Sequence, residues 1–247
     1  MQGRKVLAAV VFLTVFWEIA AILIHKNILP TPVEVISTFI IEFVHGRLGV
    51  HFLASLWRVL AGMSLAIVSG SAIGLALGQS KKLDQLISPM VYLLYPIPKV
   101  VFVPIIMLFF GIGDLAKIAI IFFILFFQIL VLVRDQASNI RPELLNSVRS
   151  LGAGRRALFR FVYYPATLPV ILTAIRQSIG TAVAVLYIAE LFATQTGLGY
   201  YIYFQGSTLF NYPAMYSGVL AMSLLGLGMY YGIDLAERNL CRWMFVK

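Results

Sequence analysis

Six long apolar runs, at residues 6–24, 53–77, 86–110, 115–133, 168–192 and 215–235, leave this chain few ways to fold. A helix rising about 1.5 Å per residue needs about 20 mostly apolar residues to cross about 30 Å of hydrocarbon. The runs are continuous rather than alternating, so they predict spanning helices and not the strands of a membrane barrel. Composition agrees, with 61% hydrophobic and 12% charged residues, against about 45–50% and about 25% in soluble domains. The expectation is an all-α integral membrane protein with six transmembrane helices in a single domain over residues 1–247. The first run resembles a secretory signal peptide, but it exceeds a signal core of about 7–15 residues and carries Glu18. It is read as a retained first span.

Basic residues in short loops orient such a protein. With the N-terminus inside, the inner segments hold Arg4, Lys5, Lys81, Lys82, Arg134, Arg141, Arg149, Arg155, Arg156, Arg160, Arg238, Arg242 and Lys247. The outer side and its margins hold Lys26, Arg47, Arg58 and Lys117, while Lys99 and Arg176 fall within spans. Both termini are therefore expected in the cytoplasm. The net charge of +9 follows from this asymmetry, and nucleic acid is not needed to explain it. The outer loop at 27–52 has apolar residues at helical spacing and is expected to lie along the membrane surface.

The lone Cys241 permits no internal disulfide and no cysteine metal cluster. His25, His45 and His51 lie in or beside the first outer loop and read as loop polarity, with no metal site assigned. No nucleophile motif and no phosphate-binding glycine loop appears, so the chain is not expected to be an enzyme or to bind ATP itself. Gly70, Gly74 and Gly78 share one face of the second span, where bare backbone lets a neighbouring helix approach. The third span is irregular: Pro89, Pro96, Pro98 and Pro104 each remove a backbone donor, and Lys99 stands beside the break. Non-helical backbone at that depth is tolerated against protein or a wet cavity. The segment is either a kinked helix with a snorkelling lysine or the lining of a pathway. Tyr95, Pro96, Pro98, Lys99, Arg176 and Glu190 are the pathway candidates, Glu190 needing water or a cation such as Lys99 or Arg176. Tyr92 also suits a pore, whereas Tyr200, Tyr201 and Tyr203 suit interfacial anchoring.

The stretch at 141–165 breaks the pattern. Pro142 suits a first helical turn and Gly152 a left-handed position just past a helix end. Between them Leu144, Leu145, Val148 and Leu151 form one stripe, with Glu143, Asn146, Arg149 and Ser150 elsewhere. A second short helix is expected to stop at Pro165, and the next span to begin only after Pro169. Such an amphipathic hairpin on the inner side suits a knob for another protein's groove.

This hairpin resembles the signature of ATP-binding-cassette importer permeases, E-A-A, three residues, G, nine residues, I-x-L-P. Asn146-Ser147-Val148 occupies the first positions, Gly152 the glycine, and Val162-Tyr163-Tyr164-Pro165 the closing block. The usual glutamate is Asn146 here, so the charge is absent or comes from Glu143. The blocks L-P-T-P, A-S-L-W-R-V-L-A-G, Y-P-I-P-K-V, F-G-I-G-D-L-A-K and A-E-L-F-A-T-Q-T-G-L-G extend the resemblance to the nitrate, sulfonate and taurine branch. It implies the type I importer permease (MetI-like) fold in a bacterial or archaeal cell (inner) membrane. It also implies a second permease copy as homodimer, two ATPase subunits and an external solute-binding protein, besides the lipid bilayer. ATP and Mg2+ would belong to the ATPase, with no cofactor in this chain. Glu143, Leu144, Leu145, Asn146, Ser147, Val148, Leu151 and Gly152 would carry the ATPase coupling. The solute would be small, an anion, sulfonate or vitamin precursor. An ion-coupled secondary transporter is the alternative, but such proteins often repeat broken helices in both halves, and no second copy of the 86–110 break is visible.

Overall fold

The computed structural model describes residues 2–24, 28–192 and 194–244, so His25, Lys26 and Lys247 lie outside the described residues. Among the described residues every regular element is helical. In chain order they are α1 (Gln2–Ile24), α2 (Pro32–Val44), α3 (Leu48–Gln79), α4 (Lys81–Leu94), α5 (Val103–Phe110) and α6 (Asp114–Ser138). There follow α7 (Pro142–Ser150), α8 (Arg155–Leu158), α9 (Tyr164–Leu191), α10 (Leu198–Tyr203) and α11 (Tyr212–Leu240). Five helices among the described residues are long and apolar enough to cross a membrane, and six spans result if the bent pair at 81–110 counts as one.

The third run is not one helix. α4 ends at Leu94, and a 3-10 turn at Lys99–Phe102 leads into α5, the two halves meeting at 81°. Pro96 and Pro98 cannot donate to carbonyls one turn back, so the ladder stops where the sequence places them.

The fifth span begins earlier than expected. The helix after Gly154 does not stop at Pro165; it runs from α8 through a π turn at Phe159–Tyr163 into α9, and Pro169 lies inside that helix. The wide turn lets the helix pass Pro165, and the Thr167 hydroxyl adds a donor to the carbonyls just before it. Tyr164 N–H reaches back to Phe159 O, and Thr167 Oγ1 donates to Tyr163 O at 2.7 Å and Tyr164 O at 3.3 Å. Hydroxyls and local π geometry are the usual means of re-satisfying backbone freed by proline within a membrane.

The chain divides into two compact units, one of Met1–Leu56 with Glu190–Leu225, the other of Trp57–Ala189 with Gly226–Lys247. In the first, α2 opens on a capping box: Thr31 Oγ1 accepts from Glu34 N–H, Glu34 Oε2 accepts from Thr31 N–H, and Pro32 takes the first turn. Trp17 Nε1 donates to Pro30 O at 3.1 Å, and Ser217 Oγ donates to Val35 O at 3.2 Å, tying α1 and α11 to the two ends of this segment.

In the second unit, α3 packs on α6 through its glycines. A Cβ at Gly70 would stand 3.1 Å from Phe126 O, one at Gly74 2.8 Å from Leu130 O, and one at Gly78 would overlap Ala137 Cβ. The helices touch along backbone, which only glycine allows at these positions. Leu77, Val91, Phe127 and Leu130 form a buried apolar cluster where α4 joins the pair. Arg134 on α6 holds α4 by two charge-assisted bonds to Asp84, at 2.6 and 2.7 Å, and by one to Tyr92.

Candidate coupling helix and pathway cavity

The stretch after α6 is built for a turn and then for exposure. Pro142 sits in the first turn of α7, Glu143 complements its N-terminus and Arg149 its C-terminus. Gly152 follows with φ of +79°, the left-handed region, and its N–H donates to Arg149 O at 2.9 Å. No residue of α7 is buried. Leu144 is 52% exposed and Leu151 85% exposed, while Leu145 and Val148 are half-buried and Glu143, Asn146, Ser147 and Gly152 are exposed. Leu144 on this nine-residue helix and Leu151 just past its end thus stand outward, with Leu145 and Val148 half-covered between them. After Gly154 the chain enters the continuous α8–π–α9 helix, so α7 hangs from a long spanning helix by a short glycine-flanked turn.

The bent span supplies the second feature. Lys99 is half-buried, and its ammonium donates to Tyr95 O at 2.8 Å and Ile97 O at 3.5 Å, carbonyls in the break between α4 and the 3-10 turn. It also stands over the rings of Tyr95, at 5.4 Å, and Phe127, at 5.0 Å. The lysine therefore caps the break and does not snorkel away from it. Tyr95 and Lys99 line a cavity of about 290 Å³ together with Gln128 on α6 and Thr181 on α9. Pro96 and Pro98 are exposed at the bend itself.

Arg176 and Glu190 have roles that the sequence does not reveal. Arg176 on α9 pairs with Glu237 and, at 3.5 Å, with Asp234, both on α11. Glu190 is 0% exposed. Its carboxylate accepts from Ser55 Oγ at 2.9 Å and from Gly199 N–H at 2.9 Å, and Leu198 N–H donates to Ser55 Oγ at 2.8 Å. Beside it Gly197 N–H donates to His51 Nδ1 at 3.0 Å. Hydroxyl and amide donors at the start of α10 meet the carboxylate, and the arrangement pins that segment against α3. Tyr201 also departs from expectation: it is 3% exposed and so is no interfacial anchor. Gln128 and Thr181 were missed by the sequence reading. Gln128, a lone amide within F-F-Q-I-L, was the available signal, because a polar side chain amid such a run needs protein or water.

Known proteins place this architecture. Residues 62–245 match the family described as "Binding-protein-dependent transport system inner membrane component". The taurine transport system permease protein of Escherichia coli K12 is 28% identical over 94% of this chain and 86% of its own length. The riboflavin transport system permease protein of Chloroflexus aurantiacus is 31% identical over 94% of this chain and 87% of its own. A solved chain of the MetNI methionine ABC transporter, in inward-facing conformations, superposes with a TM-score of 0.62 at 20% identity, covering 78% of this chain and 93% of that one. The chain therefore belongs to the binding-protein-dependent inner membrane components and is a non-catalytic, membrane-embedded permease subunit of an ABC importer, working with a partner ATPase and a binding protein.

Proposed function

We propose that two copies of this chain form the pathway, that both termini face the cytoplasm, and that α7 is the coupling helix. It seats in a cleft of an ATPase subunit, two of which bind ATP and Mg2+ beneath the permease pair. The single observation that carries this reading is the outward pair of Leu144 on α7 and Leu151 just past it, Leu151 being 85% exposed beside the left-handed Gly152. Apolar side chains held in the open on a short, cornered helix favour a protein groove as their destination. ATP-driven closure of the ATPase pair carries α7 with it, and the continuous helix from Arg155 to Leu191 transmits the displacement into the membrane. Such rigid-body motion of packed elements is a common switching mode.

The Tyr95–Lys99 cavity is the inner part of the pathway. Its ammonium favours an anionic group, and its Gln128 amide and Thr181 hydroxyl replace water around a small solute. Relatives named for taurine and riboflavin transport support a small organic solute, an anion, sulfonate or vitamin precursor. Asn146 removes the usual charge from the coupling contact, which then rests on the apolar stripe and Glu143. The test is reconstitution: chain and ATPase together should give ATP-dependent, binding-protein-dependent uptake, and Gly152→Val should abolish it while the chain stays inserted. Gradient-driven uptake by this chain alone would overturn the reading in favour of a secondary transporter.

A further inference from the structure

Within the unit of Met1–Leu56 and Glu190–Leu225 lies a cavity of about 530 Å³, between the end of α2, the start of α3 and residues 195–205. Small-molecule sites commonly have about 300–1,000 Å³ and a few converging polar groups in a mostly apolar lining. One wall is aromatic, with the rings of Tyr200 and Phe204 stacked at 5.5 Å and 16°. One polar atom of the lining, Gln205 Oε1, is buried without a hydrogen-bond partner, and the buried Tyr201 hydroxyl faces Glu42 and Gln205. Buried polar groups are paired in the great majority of cases, and an unpaired one calls for an occupant.

The charges indicate which occupant. Glu42 lines the same cavity, its carboxylate folded over the bare backbone of Gly46, where a Cβ would collide with it. Burial, together with the Glu42 carboxylate, holds the Tyr201 phenol well above its usual value, so at neutral pH it is a hydroxyl able to donate. Carboxylate and amide oxygen together want a cation or an N–H group. Arg47 lines the same cavity and is exposed, offering a guanidinium to an oxyanion.

We propose that this recess binds a small zwitterion, its ammonium held by Glu42 and Gln205 Oε1, its oxyanion by Arg47, with the Tyr201 hydroxyl bracing the Glu42 carboxylate. The proposal rests on the importer reading for its meaning: with the termini inside, the loop between α2 and α3 that lines the recess faces outward, where solute arrives.

The test uses the permease–ATPase complex in lipid nanodiscs without nucleotide or binding protein, read by saturation-transfer NMR. Taurine and β-alanine are the zwitterionic probes; ethanesulfonate and ethylamine are half-molecules lacking one charge. Both zwitterions should bind, and each half-molecule at least about tenfold more weakly, the usual scale for losing a charge-assisted contact. Glu42→Gln and Tyr201→Phe, both nearly isosteric, should each weaken zwitterion binding by about five- to tenfold while the complex keeps its gel-filtration profile. If one variant fails to fold, the other still reads the site. No binding, equal binding of a half-molecule, or unchanged binding in folded variants overturns the proposal. ATP-driven, binding-protein-dependent uptake by the same complex in proteoliposomes separates the two readings. Uptake without recess binding removes this site and leaves the importer; recess binding without ATP-dependent uptake does the reverse.

Discussion

Truncating Leu151 to alanine separates a docking surface from a structural one. The side chain is 85% exposed and stands just past the end of α7, so the substitution takes almost nothing from the permease's own packing. What it removes is apolar surface available to a partner. Leucine to alanine deletes three carbons, worth about 0.8 kcal/mol each when buried, or about 2 kcal/mol after scaling by the exposed share. At 1.4 kcal/mol per factor of ten, ATPase association should weaken roughly 30-fold. Leu144, 52% exposed, should lose about 1.2 kcal/mol on the same scale, roughly sevenfold. If the two side chains act independently, the double variant should fall by roughly 200-fold. The assay is titration of nanodisc-embedded permease with purified ATPase subunit, with thermal unfolding of the permease alone as control. Affinity within threefold of the parent, at unchanged Tm, would refute the docking role. A fall in Tm would instead mean that the stripe packs within the permease.

Three further outcomes follow from the geometry. Gly78→Ala should destabilise the α3–α6 contact by about 1–3 kcal/mol, read as a lower unfolding temperature, and Ala137→Gly in the same chain should not restore it, because the new Cβ also stands 2.8 Å from Arg134 O; a full recovery would contradict the backbone contact. Glu190→Gln replaces an acceptor of the Ser55 hydroxyl and Gly199 N–H with a group that is half donor; it should cost about 1–3 kcal/mol of thermal stability, whereas an unchanged Tm with a raised KM for solute would assign Glu190 to the pathway. Because burial and the Glu42 carboxylate hold the folded-state phenol of Tyr201 above its ordinary value of 10.0, the unfolded chain loses that proton first. Its contribution is intact below about pH 10 and declines as pH rises above it, so Tyr201→Phe should flatten the alkaline limb of a stability–pH curve, and an unaltered limb would contradict the assignment.

Local chemistry was readable in the chain, and long-range pairing was not. Gly152 is legible because a left-handed residue after a short amphipathic segment has few alternatives to glycine, and Pro96 and Pro98 are legible because a missing donor acts within one turn. The glycine face of α3 is legible as a face, though not its mate on α6. The ion partners of Arg176 lie on α11, far along the chain, and one sequence holds no sign of that pairing. The π turn before α9 escapes for another reason. It adds one residue to a turn without changing composition, so Pro165 reads as a stop when the wide turn lets the helix pass. Tyr201 fails because a tyrosine suits an interface and a buried recess equally well.

Those failures share a physical origin that bears on how the chain works. Where a backbone group or charge is satisfied within a turn, as Lys99 satisfies Tyr95 O and Ile97 O, the local sequence encodes the answer and the element is rigid by itself. Where satisfaction comes from a distant segment, as Ser55 serves Glu190 and Leu198, the arrangement exists only while the helices keep their packing. An importer that alternates access has to move some packed elements and spare others. The cornered α7 and the capped bend at Lys99 are self-contained, so they can be displaced as bodies without leaving a polar group bare. The Ser55–Glu190 knot would expose a buried carboxylate if its segments parted, which costs several kcal/mol. Motion should therefore divert around that knot. A crosslink between α3 and α9 beside the Ser55–Glu190 pair, with both of those side chains kept, should leave transport near its parent rate; transport lost under that clamp would refute this division of rigid and mobile parts.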